Sequence, residues 1–196
     1  MKYSMILSNN ERSYEYLKLF VNKKLFPNFI IYLDSQNNKN FKNKIFLLIK
    51  KKKLKYKSFK SDNIDRKKIK NYLFQLKEKI IVYSGYGGKI IKSKSIFKNK
   101  ILLHSHSGKL PKYKGSTTIY YSLLEERKIF CTTFIMNPQI DSGKILLVKK
   151  YLFKKNYKNI DKFDCKIRAN NMLQTIINFF KLKKKTRKFK GNYSPY

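Results

Sequence analysis

The sequence predicts an α/β fold, a mainly parallel sheet flanked by helices. Three observations carry this. Short apolar runs alternate with helix-like stretches from the first residues onward, the pattern of successive βα units. The runs, such as Tyr3 to Leu7 and Phe29 to Leu33, are short enough to read as strands. Six of the seven glycines, Gly85, Gly87, Gly88, Gly108, Gly115 and Gly143, fall between residues 85 and 143, which puts the tight loops and any close backbone approach to a ligand in the middle third.

Taken in order, Tyr3 to Leu7 reads as a first strand and Glu11 to Lys24 as a helix whose apolar face is built from Tyr14, Leu17, Leu19, Phe20 and Leu25. Phe29 to Leu33 is a second strand. Ile45 to Ile49 clusters apolar residues without alternation and reads as a helix segment. Leu54 to Phe59, where Lys alternates with apolar residues, suits an edge strand kept soluble by charge. Asp62 or Asp65 is placed to cap a helix that runs to Leu76. Ile80 to Tyr83 and Ile101 to Leu103 are further apolar runs, the first followed by Ser84-Gly85-Tyr86-Gly87-Gly88 and the second by His104-Ser105-His106-Ser107-Gly108. Ser116 to Arg127 reads as a helix, Ile129 to Met136 and Ile145 to Tyr151 as strands, and Cys165 to Leu182 as a long closing helix. This describes one domain over residues 1–180, followed by a Lys-rich C-terminal tail over 181–196 that is expected to be solvated.

The 196 residues include 47 Lys plus Arg against 11 Asp plus Glu, a formal charge of +36. Such a field draws polyanions and phosphorylated ligands at low salt. Yet the basic set is almost all Lys, with only five Arg, and Ala169 is the single alanine. Lys, Asn, Ile, Tyr and Phe are encoded by A/T-rich codons, so genome composition could explain much of the excess. Charge by itself therefore does not select a nucleic-acid partner. Two cysteines, Cys131 and Cys165, exclude a disulfide framework and fit a reducing, cytoplasmic setting. No apolar stretch is long enough to span a membrane, and the N-terminus turns polar after Leu7, too early for an export signal.

His104 and His106 are the only histidines and lie two apart on an extended run, so they share one face about 6.6 Å apart along the strand. They follow an apolar run, at the carboxyl edge where open α/β sheets place their ligand crevice. Their alternative is a structural role. Asp141 is the only carboxylate between Arg127 and Ile160. It can orient a histidine and help move a proton, or it can cap backbone N–H groups in a turn. The same three residues also read as a divalent-metal site of a hydrolase, although no further His and no cluster of acids accompanies them. Gly85-Tyr86-Gly87-Gly88 matches a phosphate loop only loosely, because no Lys-Ser/Thr pair closes it.

Residues 104 to 115, His-Ser-His-Ser-Gly-Lys-Leu-Pro-Lys-Tyr-Lys-Gly, together with Met136-Asn137-Pro138-Gln139-Ile140-Asp141-Ser142-Gly143, resemble the signature of the folate-dependent formyltransferases. That signature is Asn-x-His, then Leu-Pro-x-Tyr/Trp-Arg/Lys-Gly, then Asp-x-Gly before a strand. Residues 75–150 carry the resemblance best. It implies a Rossmann-like fold and 10-formyltetrahydrofolate as formyl donor, with no metal. It implies that His106 is the catalytic His that stabilises charge on the formyl oxygen, that Asp141 orients it and assists proton transfer, and that His104 stands where the family has Asn. It further implies folate contacts at Tyr86, Gly88, Lys89 and Ile90, with Asn137, Gln139 and Ile140 in a loop closing over the pterin, and acceptor contacts at Lys114, Gly115, Ser116 and Thr117.

The resemblance also implies a primary-amine acceptor: a small amine such as an amino sugar, free or nucleotide-linked, or methionyl-tRNA. The loop Ser8-Asn9-Asn10 lacks the glycines that cradle a ribonucleotide phosphate in the glycinamide ribonucleotide branch, and only 45 residues follow Tyr151, fewer than the C-terminal barrel of the tRNA-specific branch requires. Two other readings stand beside this one. One is a formyltransferase-like module that has lost catalysis through the change at His104 and binds nucleic acid. The other is the metal-dependent hydrolase.

Overall fold

The computed structural model describes residues 2–35, 39–152 and 159–188. Seven strands form one sheet in the order β3-β2-β1-β4-β5-β6-β7. They are β1 (Tyr3–Ser8), β2 (Phe29–Leu33), β3 (Tyr56–Phe59), β4 (Ile80–Ser84), β5 (Ile101–Ser107), β6 (Ile129–Ile135) and β7 (Lys144–Tyr151). β1 to β5 pair in parallel, and β6 and β7 are added antiparallel. The mainly parallel sheet read from the apolar runs is therefore present. β1 is buried at all six positions, which is why its sequence does not alternate.

The helices are α1 (Glu11–Asn22), α2 (Lys39–Lys51), α3 (Lys67–Gln75), α4 (Lys94–Asn99), α5 (Thr118–Glu126) and α6 (Ile160–Lys188). Residues from α1, α2 and α6 pack on one face of the sheet around Tyr3, Met5, Leu7, Val82 and Leu103. Residues from α3 and α4 cover the other face around Ile6, Ile31, Ile81 and Leu102. The chain winds outward from β1 to β3 and returns to place β4 on the other side of β1. This reversal opens a crevice at the carboxyl ends of β1 and β4, the position that such sheets offer to ligands.

Several elements differ from the sequence expectation. α2 extends well beyond Ile45 to Ile49 at both ends, because its polar residues complete an amphipathic helix with Ile45 and Ile49 buried. Neither Asp62 nor Asp65 caps α3. Arg66 precedes that helix without a side-chain cap, and Asp65 accepts hydrogen bonds from the backbone N–H groups of Lys92 and Ser93 instead, tying down the approach to α4. β5 continues through His104 to Ser107 because its ladder with β6 supports those residues. α5 begins at Thr118 rather than Ser116, since Gly115 and Thr117 take positive φ values of 93° and 59°. α6 starts at Ile160 and runs unbroken across residue 181, where the tail was expected to begin, as far as Lys188; residues 189–196 of that tail lie outside the described residues.

Candidate active site

Pairing of β4 with β5 stops at Val82–Leu103. The next residue, His104, turns its ring onto the β4 backbone: Nδ1 lies 3.2 Å from the Tyr83 carbonyl oxygen. A carbonyl only accepts, so Nδ1 carries the proton in the neutral ring and Nε2 is left as an acceptor. The ring also packs between Tyr83 and Phe134, at centroid distances of 6.0 and 5.9 Å. Burial, and then the nearby charges of Arg12 and Arg168, hold the His104 pKa well below its ordinary value near 6.5. His104 is neutral at physiological pH.

His106, two residues on and only 3 % exposed, is held at both nitrogens. Nε2 donates to the Tyr113 carbonyl at 2.8 Å, and Nδ1 lies 3.4 Å from Asp141 Oδ2. Burial lowers its pKa, and the Asp141 carboxylate opposes that shift. Because Nε2 is committed to a carbonyl, Nδ1 is the atom that gains or loses a proton. Thr118 Oγ1 lies 3.2 Å from Nε2 and donates to the Ser107 carbonyl, closing the pocket behind the ring.

Asp141 arrives on the turn between β6 and β7, in the left-handed region at φ 47°. The turn is organised by Asn137, whose Oδ1 accepts from the Gln139 N–H and the Ser142 hydroxyl and whose Nδ2 donates to the Ser142 carbonyl. Asp141 is thus released from capping its own turn. Its Oδ2 accepts from the Gly115 N–H at 2.8 Å and faces His106, so one carboxylate joins the β6–β7 turn to the loop before α5.

These groups line a cavity of about 400 Å³ together with Tyr86, Gly88, Lys89, Ile90, Asn137, Gln139, Ile140, Gly115, Ser116 and Thr117. The structure therefore brings nearly all the residues singled out from sequence to one cavity. Lys114 does not line it. Two others are engaged in ways that sequence did not suggest. The Tyr86 hydroxyl donates to the Leu33 carbonyl and accepts from the N–H groups of Asn9 and Ser35, so it latches three loops together. Lys89 Nζ pairs with Asp62 at 2.6 Å.

Sequence reasoning missed Arg12, Tyr83, Phe97, Phe134, Met136 and Arg168, which also line the cavity. Tyr83 and Phe134 were read only as strand residues, and the arginines only as parts of helices. The scarcity of Arg beside so many Lys was the available signal. Among the described residues, no three His, Cys, Asp or Glu side chains gather as a metal-ion site.

The chain is similar to known proteins at two levels. It is 31% identical over 119 residues to a methionyl-tRNA formyltransferase of Helicobacter pylori, a match covering 59% of this chain and 38% of that protein. The chain thus spans well under half the length of that relative. In fold it is similar to a sugar N-formyltransferase from Shewanella (TM-score 0.60, 20% identity, covering 89% of this chain and 67% of that one). It is also similar to a phosphoribosylglycinamide formyltransferase from Streptococcus pneumoniae (TM-score 0.67, 13% identity, covering 91% and 98%). The family model for formyl transferase matches residues 27–173, a span that begins before β2, ends within α6 and contains His104, His106 and Asp141; the chain belongs to the formyl transferase family.

Proposed function

We propose that this protein transfers a formyl group from 10-formyltetrahydrofolate to a primary amine, with His106 and Asp141 as the working pair. The observation that carries the proposal is the contact of His106 Nδ1 with Asp141 at the wall of a cavity. Family membership disfavours the hydrolase and the catalytically silent nucleic-acid module.

The residues present fit the donor. The wall of the cavity on the α3/α4 side is apolar, with Tyr86, Ile91, Phe97 and Met136. The 137–140 loop beside it offers backbone N–H and C=O groups, and about 400 Å³ is a volume that suits a ligand of this size. Bound donor supplies the formyl carbon, to which the amine nitrogen bonds as the carbon's bond to the folate nitrogen breaks and one amine proton passes to that nitrogen. The protein's part is to hold and move that proton. Neutral His104 presents Nε2 as an acceptor for an amine N–H. His106, once protonated at Nδ1, presents a positively polarised donor beside the cavity, and Asp141 keeps that proton available. His104 in the family's Asn position thus offers the cavity one acceptor where an amide carries both a donor and an acceptor.

Acceptors compatible with this reading are a small amino sugar, free or nucleotide-linked, and methionyl-tRNA, for which the +36 charge would assist binding of phosphates. We take residues 1–180 as the catalytic unit and the cytoplasm as its location. No described helix is long and apolar enough to cross a membrane.

Single-turnover release of tetrahydrofolate from 10-formyltetrahydrofolate, measured with a panel of primary amines, tests the proposal. We expect release with at least one amine, reduced about 10²- to 10⁴-fold by His106→Ala and by Asp141→Asn, the span that a positioned proton-transfer group contributes. Absence of release with every amine, or release unaffected by His106→Ala, refutes it.

A further inference from the structure

The cavity has two unlike walls. The wall described above, on the α3/α4 face, is apolar. The opposite side, where α1 and α6 meet the sheet, holds two guanidinium groups, Arg12 and Arg168. Only five of the 47 basic residues are arginine, and two of those five line this cavity. In a chain that uses Lys almost everywhere, Arg at both positions indicates a need for its rigid fork of donors rather than for charge alone.

Arg12 stands in the first turn of α1. Its Nη2 donates to the Gly85 carbonyl, and its Nε lies 3.4 Å from Ser84 Oγ. Among the described residues no carboxylate lies within ion-pair distance of it. Arg168 donates from Nε to Ser107 Oγ at 2.8 Å and to Asp164 at 3.1 Å, while neither of its terminal nitrogens makes a hydrogen bond among the described residues. Arg168 is paired with Asp164 and Asp141 lies against His106, so Arg12 is the guanidinium of this cavity with no carboxylate beside it among the described residues. Burial and the like charge of Arg168 act together to lower the Arg12 pKa. For Arg168, burial is the largest single influence and lowers the pKa, but Asp164 and the neighbouring Tyr16 and Cys131 together raise it. Arg12 is therefore the group held at a cost that an incoming anion would relieve.

We infer that Arg12 and Arg168 form an oxyanion clamp for a carboxylate or phosphate borne by the amine acceptor, on the α1/α6 side of His104 and His106. The inference rests on the formyl-transfer reading for the word acceptor, but the anion site stands on its own residues. The clamp directs the acceptor away from the apolar wall, leaving that wall to the donor, and sets its nitrogen beside the histidines. It selects amines that carry an oxyanion over neutral amines of the same shape. Bidentate guanidinium pairing with carboxylate or phosphate supplies both the strength and the angle.

The test begins with binding. Inorganic phosphate and acetate are titrated, at ionic strength held constant with potassium chloride, into wild type, Arg12→Gln, Arg168→Gln and the exposed edge-strand control Lys57→Gln. We expect one saturable site for at least one of the anions in wild type and Lys57→Gln, weakened about 10-fold or more in each arginine variant. Preference for phosphate identifies phosphorylated acceptors, and preference for acetate identifies carboxylated ones. If Arg168→Gln does not fold, Arg168→Lys replaces it, with binding expected to weaken because the fork is lost. Affinity for 5-formyltetrahydrofolate is expected to stay within about twofold of wild type in Arg12→Gln. No saturable site, equal affinity in the arginine variants, or a matching loss of folate affinity, which would assign the clamp to the donor's glutamate, overturns the inference.

Turnover then compares glucosamine 6-phosphate with glucosamine, and glycine with glycinamide. We expect the anionic member of at least one pair to be favoured and Arg12→Gln to erase the preference. Failure to formylate any amine overturns the formyl-transfer reading and leaves the binding result to judge the clamp.

Discussion

At the scale of single residues, the site is built on scarcity. His104, His106 and Asp141 were legible in the sequence because the chain holds no other histidine and places no other carboxylate between Arg127 and Ile160. Their environments were not legible. That His104 faces a carbonyl, and so presents an acceptor, follows from where β4 stops pairing, a tertiary fact. Arg12 and Arg168 were hidden for a similar reason, since they come from opposite ends of the chain and meet only when α1 and α6 pack against the same face. The histidines carry a prediction for stability. Both fold with lowered pKa values, so below the unfolded value of about 6.5 the unfolded chain takes up protons that the folded chain does not, and stability falls as pH falls. Above that value both states are neutral and the effect vanishes. We expect the melting temperature to drop between pH 7.5 and 5.5, and to drop less in His104→Asn; equal slopes for the two proteins would show that His104 is not buried neutral.

At the scale of elements, the antiparallel addition of β6 and β7 to a parallel sheet positions Asp141. The hairpin they form was readable as two apolar runs around Asp-Ser-Gly, but its direction was not, because both parallel and antiparallel pairing satisfy the same run of residues. Gly143 is the fixed point of this hairpin. A Cβ added there would collide with the Ile135 carbonyl oxygen, a backbone atom that cannot move aside without opening the ladder. Gly143→Ala is expected to cost roughly 1–3 kcal/mol of stability, read by denaturant unfolding, as overpacking of a close contact does. It should also reduce formyl transfer, by moving Asp141 away from His106. Unchanged stability would mean that the two strands are not so closely opposed. The start of α3 illustrates the opposite error. Asp62 and Asp65 looked like caps because acids before a helix usually are, whereas here Lys89 and the backbone before α4 claim them.

At the scale of the whole molecule, the +36 charge dominates the composition, yet among the described residues the cavity is lined by three basic side chains, Arg12, Lys89 and Arg168, beside two histidines and Asp141, set against an apolar wall. The fold class was legible because each βα unit announces itself locally, whereas the cavity needed segments from separate regions of the chain, from Arg12 to Arg168, to converge at the reversal in strand order. One feature of that arrangement separates activity from folding. Asp141 hangs on a hairpin whose outer strand, β7, pairs among the described residues with β6 alone and is buried at none of its eight positions, while His104 and His106 sit on β5, an interior strand of the sheet, where they pair with β6. Edge elements with few buried contacts open at lower free energy than the centre of a sheet. The protein should therefore have two melting events in practice: Asp141 leaves His106 while the central strands of the sheet are still intact. In a urea series, formyl transfer is expected to fail before the far-ultraviolet circular dichroism signal does, with amides of β7 exchanging faster than those of β1 and β4. Coincident curves would mean that the edge is as firmly held as the core.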